Sequence, residues 1–132
     1  MIDPSMSLDQ LEGRPWGAPP TDATRLIETA HHLRRKPIGD LDVEDLRLLL
    51  LQRVGIELLV PLTLSRLERE PLAEGDYYPG DLLVALLKIP PEHWRRHPDR
   101  LRRATSVAAA AERLGSHGPV ARQIAAFRAG TA

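Results

Sequence analysis

Apolar residues recur along this chain at spacings of three and four, in short runs that prolines and glycines interrupt. This spacing collects apolar side chains on one face of an α-helix, whereas a strand would require alternation of apolar and polar residues. No stretch alternates for long enough to form a strand, and β-branched and aromatic residues, which favour strands, are scarce. The pattern therefore predicts an all-α fold, a single compact domain of about six to eight short helices.

Residues that start or stop helices set the bounds of the predicted elements. Capping residues open several helices, and glycines or prolines close most of them. One helix is harder to bound, because Pro61 lies inside an apolar run and proline is tolerated only in the first helical turn; this helix is expected to begin near Leu59 or Val60. The predicted segments are Ser7 to Gly13, Thr21 or Asp22 to Lys36, Asp42 to Val54, about Leu59 to Leu67, Pro79 to Lys88, Glu92 to His97, Pro98 to about Leu114, and Val120 to Ala129.

The predicted core centres on the segment from Pro79 to Lys88, because its Leu-Leu-Val-Ala-Leu-Leu body is apolar all round. A helix without a polar face has to be surrounded by other elements. Trp94 is expected to lie beneath a basic surface stretch, and Trp16 to pin the proline-rich arm before the second helix. The predicted core residues are Leu46, Leu49, Leu50, Leu62, Leu83, Leu86 and Leu87.

Composition narrows the classes of function. The chain has 132 residues, which favours one domain over residues 1–132, and its 18 basic and 18 acidic side chains leave no net charge to attract nucleic acid or an anionic membrane. The absence of cysteine excludes disulfides and thiolate metal sites. The N-terminus lacks the pattern of a signal peptide, and the longest apolar run, Leu82 to Leu87, is too short to span a bilayer. A cytoplasmic protein is therefore expected. We further expect the free protein to be a monomer.

No pattern of residues indicates catalysis. None of the serines lies in a Gly-x-Ser-x-Gly turn, and no glycine-rich phosphate loop occurs. His93 and His97 have the spacing that places two imidazoles on one helix face. A zinc site needs at least a third ligand, however, and Trp94 stands where zinc enzymes carry a glutamate. We therefore expect no catalytic residue, no metal and no cofactor.

Acidic residues gather in two parts of the sequence, and tyrosines interrupt the second group. Exposed carboxylates beside tyrosines suit a basic protein partner, because aromatic anchors supply affinity and charges steer association. Asp81 has a structural alternative, since in the first turn of its helix it can accept a hydrogen bond from the backbone N–H of Tyr78. Glu68 and Glu70 end a helix, where the helix dipole disfavours negative charge. The candidate partner-binding residues are Glu68, Glu70, Glu74, Asp76, Tyr77, Tyr78 and Asp81, with Glu44 and Asp45 from the first group.

Several short motifs follow one another between Ser7 and Pro98. They are Ser7-Leu8-Asp9-Gln10-Leu11-Glu12-Gly13, Trp16-Gly17-x-Pro19-Pro20-x-Asp22-Ala23-Thr24, Leu33-Arg34-Arg35-Lys36-Pro37, Val43-Glu44-Asp45-Leu46-Arg47, Val60-Pro61-Leu62, and Leu72-Ala73-Glu74-Gly75-Asp76-Tyr77-Tyr78-Pro79-Gly80-Asp81-Leu82-Leu83. In this order, over residues 7–98, the chain resembles the bacterial contact-dependent growth inhibition (CDI) immunity proteins. Residues 99–132 depart from the family pattern, and the resemblance assigns no role to the helices predicted there.

The resemblance implies a protein without catalytic activity that binds the C-terminal toxin domain of a large delivered effector, one to one, and blocks its active site. In such systems the toxin is commonly a nuclease, often a ribonuclease, whose basic active site an acidic face would complement. A helical adaptor or regulatory protein that binds another partner would share the features above. A small enzyme with a deep polar pocket is a further alternative.

Overall fold

Eight α-helices and one 3₁₀ turn follow one another in this computed structural model, which describes residues 2–132. No strand occurs among the described residues, 63% of which are helical, and the prediction of a compact all-α fold is confirmed. None of the described helices is long and apolar enough to cross a membrane. The helices are α1 (Leu8–Glu12), α2 (Arg25–Leu33), α3 (Val43–Leu51), α4 (Ile56–Arg69), α5 (Asp81–Leu87), α6 (Pro91–Arg96), α7 (Pro98–Arg113) and α8 (Pro119–Thr131), and the 3₁₀ turn is Ile38–Asp40.

Helix α5 is the centre of the fold, as its apolar sequence predicted. Every residue from Asp81 to Leu87 is buried, and α3 and α8 supply most of the surface that surrounds the helix. Of the predicted core residues, Leu62 alone is only partly buried, because α4 turns Leu59, Val60 and Leu64 inward and leaves Leu62 at the edge of that face. The core residues confirmed as buried are Leu46, Leu49, Leu50, Leu83, Leu86 and Leu87.

Pro61 lies inside α4, so the expected start of this helix near Leu59 or Val60 is wrong. The helix already begins at Ile56 and continues through the proline. A proline in this place removes the hydrogen bond that an amide would donate to the carbonyl of Glu57, at a cost of about 3 kcal/mol. Burial of the leucines on the inner face of α4 offsets this cost. Packing against the core therefore keeps the helix intact although its proline favours a later start.

Helix α2 begins later than predicted. Its cap is Thr24 rather than Thr21 or Asp22, and the Thr24 side chain accepts a hydrogen bond from the backbone N–H of Ile27 at 3.3 Å. Three cap-forming residues within four positions compete for this role, and the helix starts at Arg25.

Helix α5 begins at Asp81 rather than at Pro79. The residue between them, Gly80, has a left-handed backbone (φ +91°) that cannot belong to the helix. A Cβ atom at this position would lie 2.7 Å from a methyl group of Val120, so the close approach of α8 also requires glycine.

A buried arginine at the C-terminal end of α2 holds both α1 and the proline-rich arm that precedes α2. Arg34 is 1% exposed, donates to the carboxylate of Asp9 at 2.7 Å and pairs with Glu12. The ring of Trp16 lies 4.5 Å from the same guanidinium and contacts the edge of His31. Trp16 therefore pins the arm as predicted, with the arginine as its partner.

Candidate functional site

The acidic loop, residues 70–80, joins α4 to α5 and is held in place by the first residue of α5. The carboxylate of Asp81 is buried and accepts hydrogen bonds from the backbone N–H groups of Gly75 (2.6 Å) and Tyr77 (3.1 Å). The backbone N–H of Tyr78, which the sequence predicted as a donor to Asp81, also points at this carboxylate but is more distant, at 3.5 Å. Asp81 therefore organises the loop and is itself only 3% exposed.

Glu44 and Arg47 of α3 hold the acidic loop from another side. The Arg47 guanidinium donates to both carboxylate oxygens of Glu44 (2.7 and 2.6 Å), and these bonds lower the pKa of the Glu44 carboxyl. One of the oxygens also accepts a hydrogen bond from the backbone N–H of Asp76 at 2.9 Å. The ring of Tyr77 lies over the Arg47 guanidinium at 4.6 Å. Together with Asp81, these contacts fix the backbone of the loop.

The outer face of the acidic loop presents a tyrosine between carboxylates. Tyr77 is 69% exposed, whereas Tyr78 is partly buried against the core. Glu74 and Asp76 are exposed, and their carboxylates form no ion pair or hydrogen bond within residues 2–132. They line a groove of about 280 Å³ together with Asp42, Val43, Glu44, Arg66 and Gly75.

The remaining acidic candidates differ in whether their carboxylates already form hydrogen bonds or ion pairs within the protein. Glu68 forms two hydrogen bonds with Arg103 (2.8 and 2.7 Å), so its place at the end of α4 has an explanation within the fold. The carboxylate of Asp45 accepts hydrogen bonds from the backbone N–H of Asp42, the residue that caps α3, at 3.1 Å and from Lys36 at 2.9 Å. Glu70 is exposed at the C-terminal end of α4. Glu70, Glu74 and Asp76 are therefore the carboxylates most open to a partner.

A second cluster joins α4 to the junction of α6 and α7. The carboxylate of Glu57 lies 3.1 Å from His97 Nε2 and 3.8 Å from His93 Nδ1. His93 is 4% exposed, its Nδ1 has no hydrogen-bond partner among the described residues, and burial is the main reason why its pKa falls to about 4. Arg96 and Arg100 each place a guanidinium nitrogen 3.5 Å from the same carboxylate.

The sequence did not indicate Glu57, because it lies far from the two histidines along the chain and reaches them only through packing. The sequence predicted no metal because a third ligand was missing. In the structure, Glu57 is a third side chain that could provide a ligand atom. The neighbouring Trp94 is 1% exposed, which confirms that it lies beneath the basic stretch.

The fold and the acidic loop define a class of protein, a small all-helical chain with a rigid surface loop that combines carboxylates with an exposed tyrosine. The family model of CDI immunity proteins matches residues 10–104. The match covers most of the chain, which therefore belongs to the CDI immunity protein family, as the ordered motifs predicted. Membership implies a toxin-neutralising function, with a cognate toxin as the partner.

The region matched by the family contains the acidic loop and both histidines of the second cluster, whereas α8 lies beyond it. Searches of curated proteins and of solved structures gave no significant match.

Proposed function

We propose that this protein acts in the cytoplasm, without catalytic turnover, by binding the toxin domain of a delivered effector one to one and covering its active site. We further propose that the toxin is a nuclease, such as a ribonuclease. Family membership supports toxin neutralisation, and the charge of the acidic loop supports the choice of nuclease. A nuclease has to attract phosphate groups, so its active site is basic and complements exposed carboxylates.

The observation that carries the proposal is the exposed Tyr77 in a loop whose backbone is already fixed. Tyrosine supplies a large contact area and loses little conformational entropy, which is why it is common among the residues that dominate interface energies. Because Asp81 and Glu44 hold the loop before the partner arrives, binding does not have to order it. The proposed contacts are Glu70, Glu74, Asp76 and Tyr77, with Tyr78, Glu68, Glu44 and Asp45 at the margin and Asp81 beneath them.

The test reverses two charges of the acidic loop, in the double variant Glu74→Lys with Asp76→Lys. Both side chains are exposed and unpaired within residues 2–132, so the fold is expected to tolerate the change. Association with the toxin domain should slow by about tenfold or more at low salt, and the dependence of the association rate on salt should weaken. Stopped-flow or biolayer measurements at several salt concentrations give both quantities.

The matched control is Asp22→Lys with Glu28→Lys, which makes the same change in net charge at exposed residues outside the loop. A smaller effect of this control is expected, because long-range attraction depends on where the charge lies. Equal slowing by both double variants, or no slowing by either, would remove the acidic loop as the binding face. Tyr77→Ala should mainly speed dissociation, since it removes a buried anchor of the complex and no charge.

A further inference from the structure

We propose that Glu57, His93 and His97 form a binding site for a zinc ion at the junction of α4 with α6 and α7. Two imidazoles and one carboxylate are a ligand set that zinc uses in proteins, with water in the fourth position. The proposal replaces the sequence-based expectation of no metal, which depended on the lack of a third ligand. It is independent of the toxin-binding face.

The three side chains lie close enough together to converge on a single small ion. One ligand atom from each of the three side chains lies within 4.8 Å of the others. Zinc binds nitrogen and oxygen at about 2.0–2.2 Å, which places tetrahedral ligand atoms roughly 3.3–3.6 Å apart. One carboxylate oxygen of Glu57 lies 3.1 Å from His97 Nε2 and the other lies 3.8 Å from His93 Nδ1, so small side-chain movements would bring one ligand atom from each residue to these spacings.

The unpartnered nitrogen of His93 is a second and independent indication of a ligand. This side chain is 96% buried, since its exposed fraction is 4%, yet its Nδ1 has no hydrogen-bond partner among the described residues. Buried polar atoms are nearly always paired, and an orphan calls for an explanation such as an ion. A zinc ion between His93 and Glu57 would satisfy this nitrogen. The side chain of Glu57 is 54% exposed and that of His97 is 26% exposed, so the ion and its water can reach the site from solvent.

Two arginines are the cations that zinc would have to displace. Arg96 and Arg100 each lie 3.5 Å from the Glu57 carboxylate, and Arg100 also lies 3.3 Å from His93 Nε2. Because arginine can only donate, His93 Nε2 accepts in this arrangement and the ring proton stands on Nδ1. For zinc to bind Nδ1, the ring has to release that proton to solvent and take one up at Nε2, and Arg100 has to turn away; the imidazole is neutral before and after binding.

This competition gives the test two variants with opposite expected effects. His97→Ala removes a ligand that is partly exposed, and zinc affinity should fall by more than about tenfold. Arg100→Gln removes a competing charge and offers an oxygen that can accept from His93 Nε2. Zinc affinity should then rise by about tenfold or more, because a guanidinium about 4 Å from a doubly charged ion opposes binding by roughly 2 kcal/mol even in a water-like medium. His32→Ala, at an exposed histidine elsewhere, is the control and should leave affinity unchanged.

The measurement is calorimetric titration of zinc chloride into the free protein after chelator treatment. We expect one ion per chain, and circular dichroism of each variant confirms that it remains helical. Glu57→Gln, at an exposed position, provides a second ligand variant and should also weaken binding. If no binding is detected at about 100 μM zinc, the dissociation constant is weaker than that of even a weak protein site, and the proposal is overturned. Unchanged affinity in both His97→Ala and Glu57→Gln would overturn it as well.

Discussion

Replacement of Asp81 by asparagine tests how the acidic loop is held. The variant keeps the shape of the side chain, but it removes the negative charge and turns one acceptor oxygen into an NH₂ group that faces backbone donors. The wild-type carboxylate accepts from the N–H groups of Gly75 at 2.6 Å and Tyr77 at 3.1 Å. A hydrogen bond to a charged group contributes about 1.5–3 kcal/mol, and a buried donor left unpaired costs a similar amount.

The asparagine oxygen can keep one of the two short bonds, in a weaker neutral form. We therefore expect Asp81→Asn to lower the free energy of unfolding by about 2–4 kcal/mol. Denaturant unfolding measures this total, and amide hydrogen exchange locates it, because the N–H groups of Gly75 and Tyr77 should exchange faster in the variant.

The matched control is Asp76→Asn, the same chemical change at an exposed carboxylate of the same loop. It should alter the free energy of unfolding by less than about 0.5 kcal/mol. An Asp81→Asn variant as stable as the wild type, with unchanged exchange at Gly75 and Tyr77, would refute the anchoring role of Asp81. A loss of stability with no change in exchange at these two amides would place the effect elsewhere and refute it equally.

Two further predictions concern α3. Arg53 follows this helix with a left-handed backbone (φ +58°), a conformation that is strained for any residue with a Cβ atom. Arg53→Gly should therefore raise the free energy of unfolding, measured in denaturant, by roughly 1 kcal/mol. A less stable variant would contradict the presence of strain at this residue. Because Arg47 lowers the pKa of the Glu44 carboxyl, this pair stabilises the fold fully above the ordinary pKa of 4.5 and loses that contribution as the pH falls through the lower folded-state value. The Tm of the wild type should therefore drop more steeply than that of Glu44→Gln between about pH 5 and about pH 3, and parallel curves would count against the interaction.

The helices could be predicted from the sequence because an amphipathic pattern is a local property. The central place of α5 also followed from the sequence, since a helix that is apolar all round has to be enclosed. Helix starts were harder to predict wherever local signals compete or packing overrides them. Thr24 prevailed over two nearby cap-forming residues, and Pro61 is carried inside α4 because burial of the same helix offsets its cost.

The composition of the acidic loop could be predicted, but the connections that organise it could not. Exposed Tyr77 between carboxylates is visible in the sequence, whereas the pairing of Glu68 with Arg103 joins residues 35 positions apart. The approach of Glu57 to the two histidines likewise depends on how the helices pack, and no sequence pattern marks it. Which residues touch the toxin remains a prediction.

The most direct test of the central claim is a titration of nuclease activity. The cognate toxin domain is held at a fixed concentration, well above the dissociation constant of the complex, and its cleavage of RNA or DNA is followed as purified protein is added. If the protein covers the active site in a one-to-one complex, activity falls linearly and reaches background at one equivalent. Activity that persists at several-fold excess of folded protein would contradict the account.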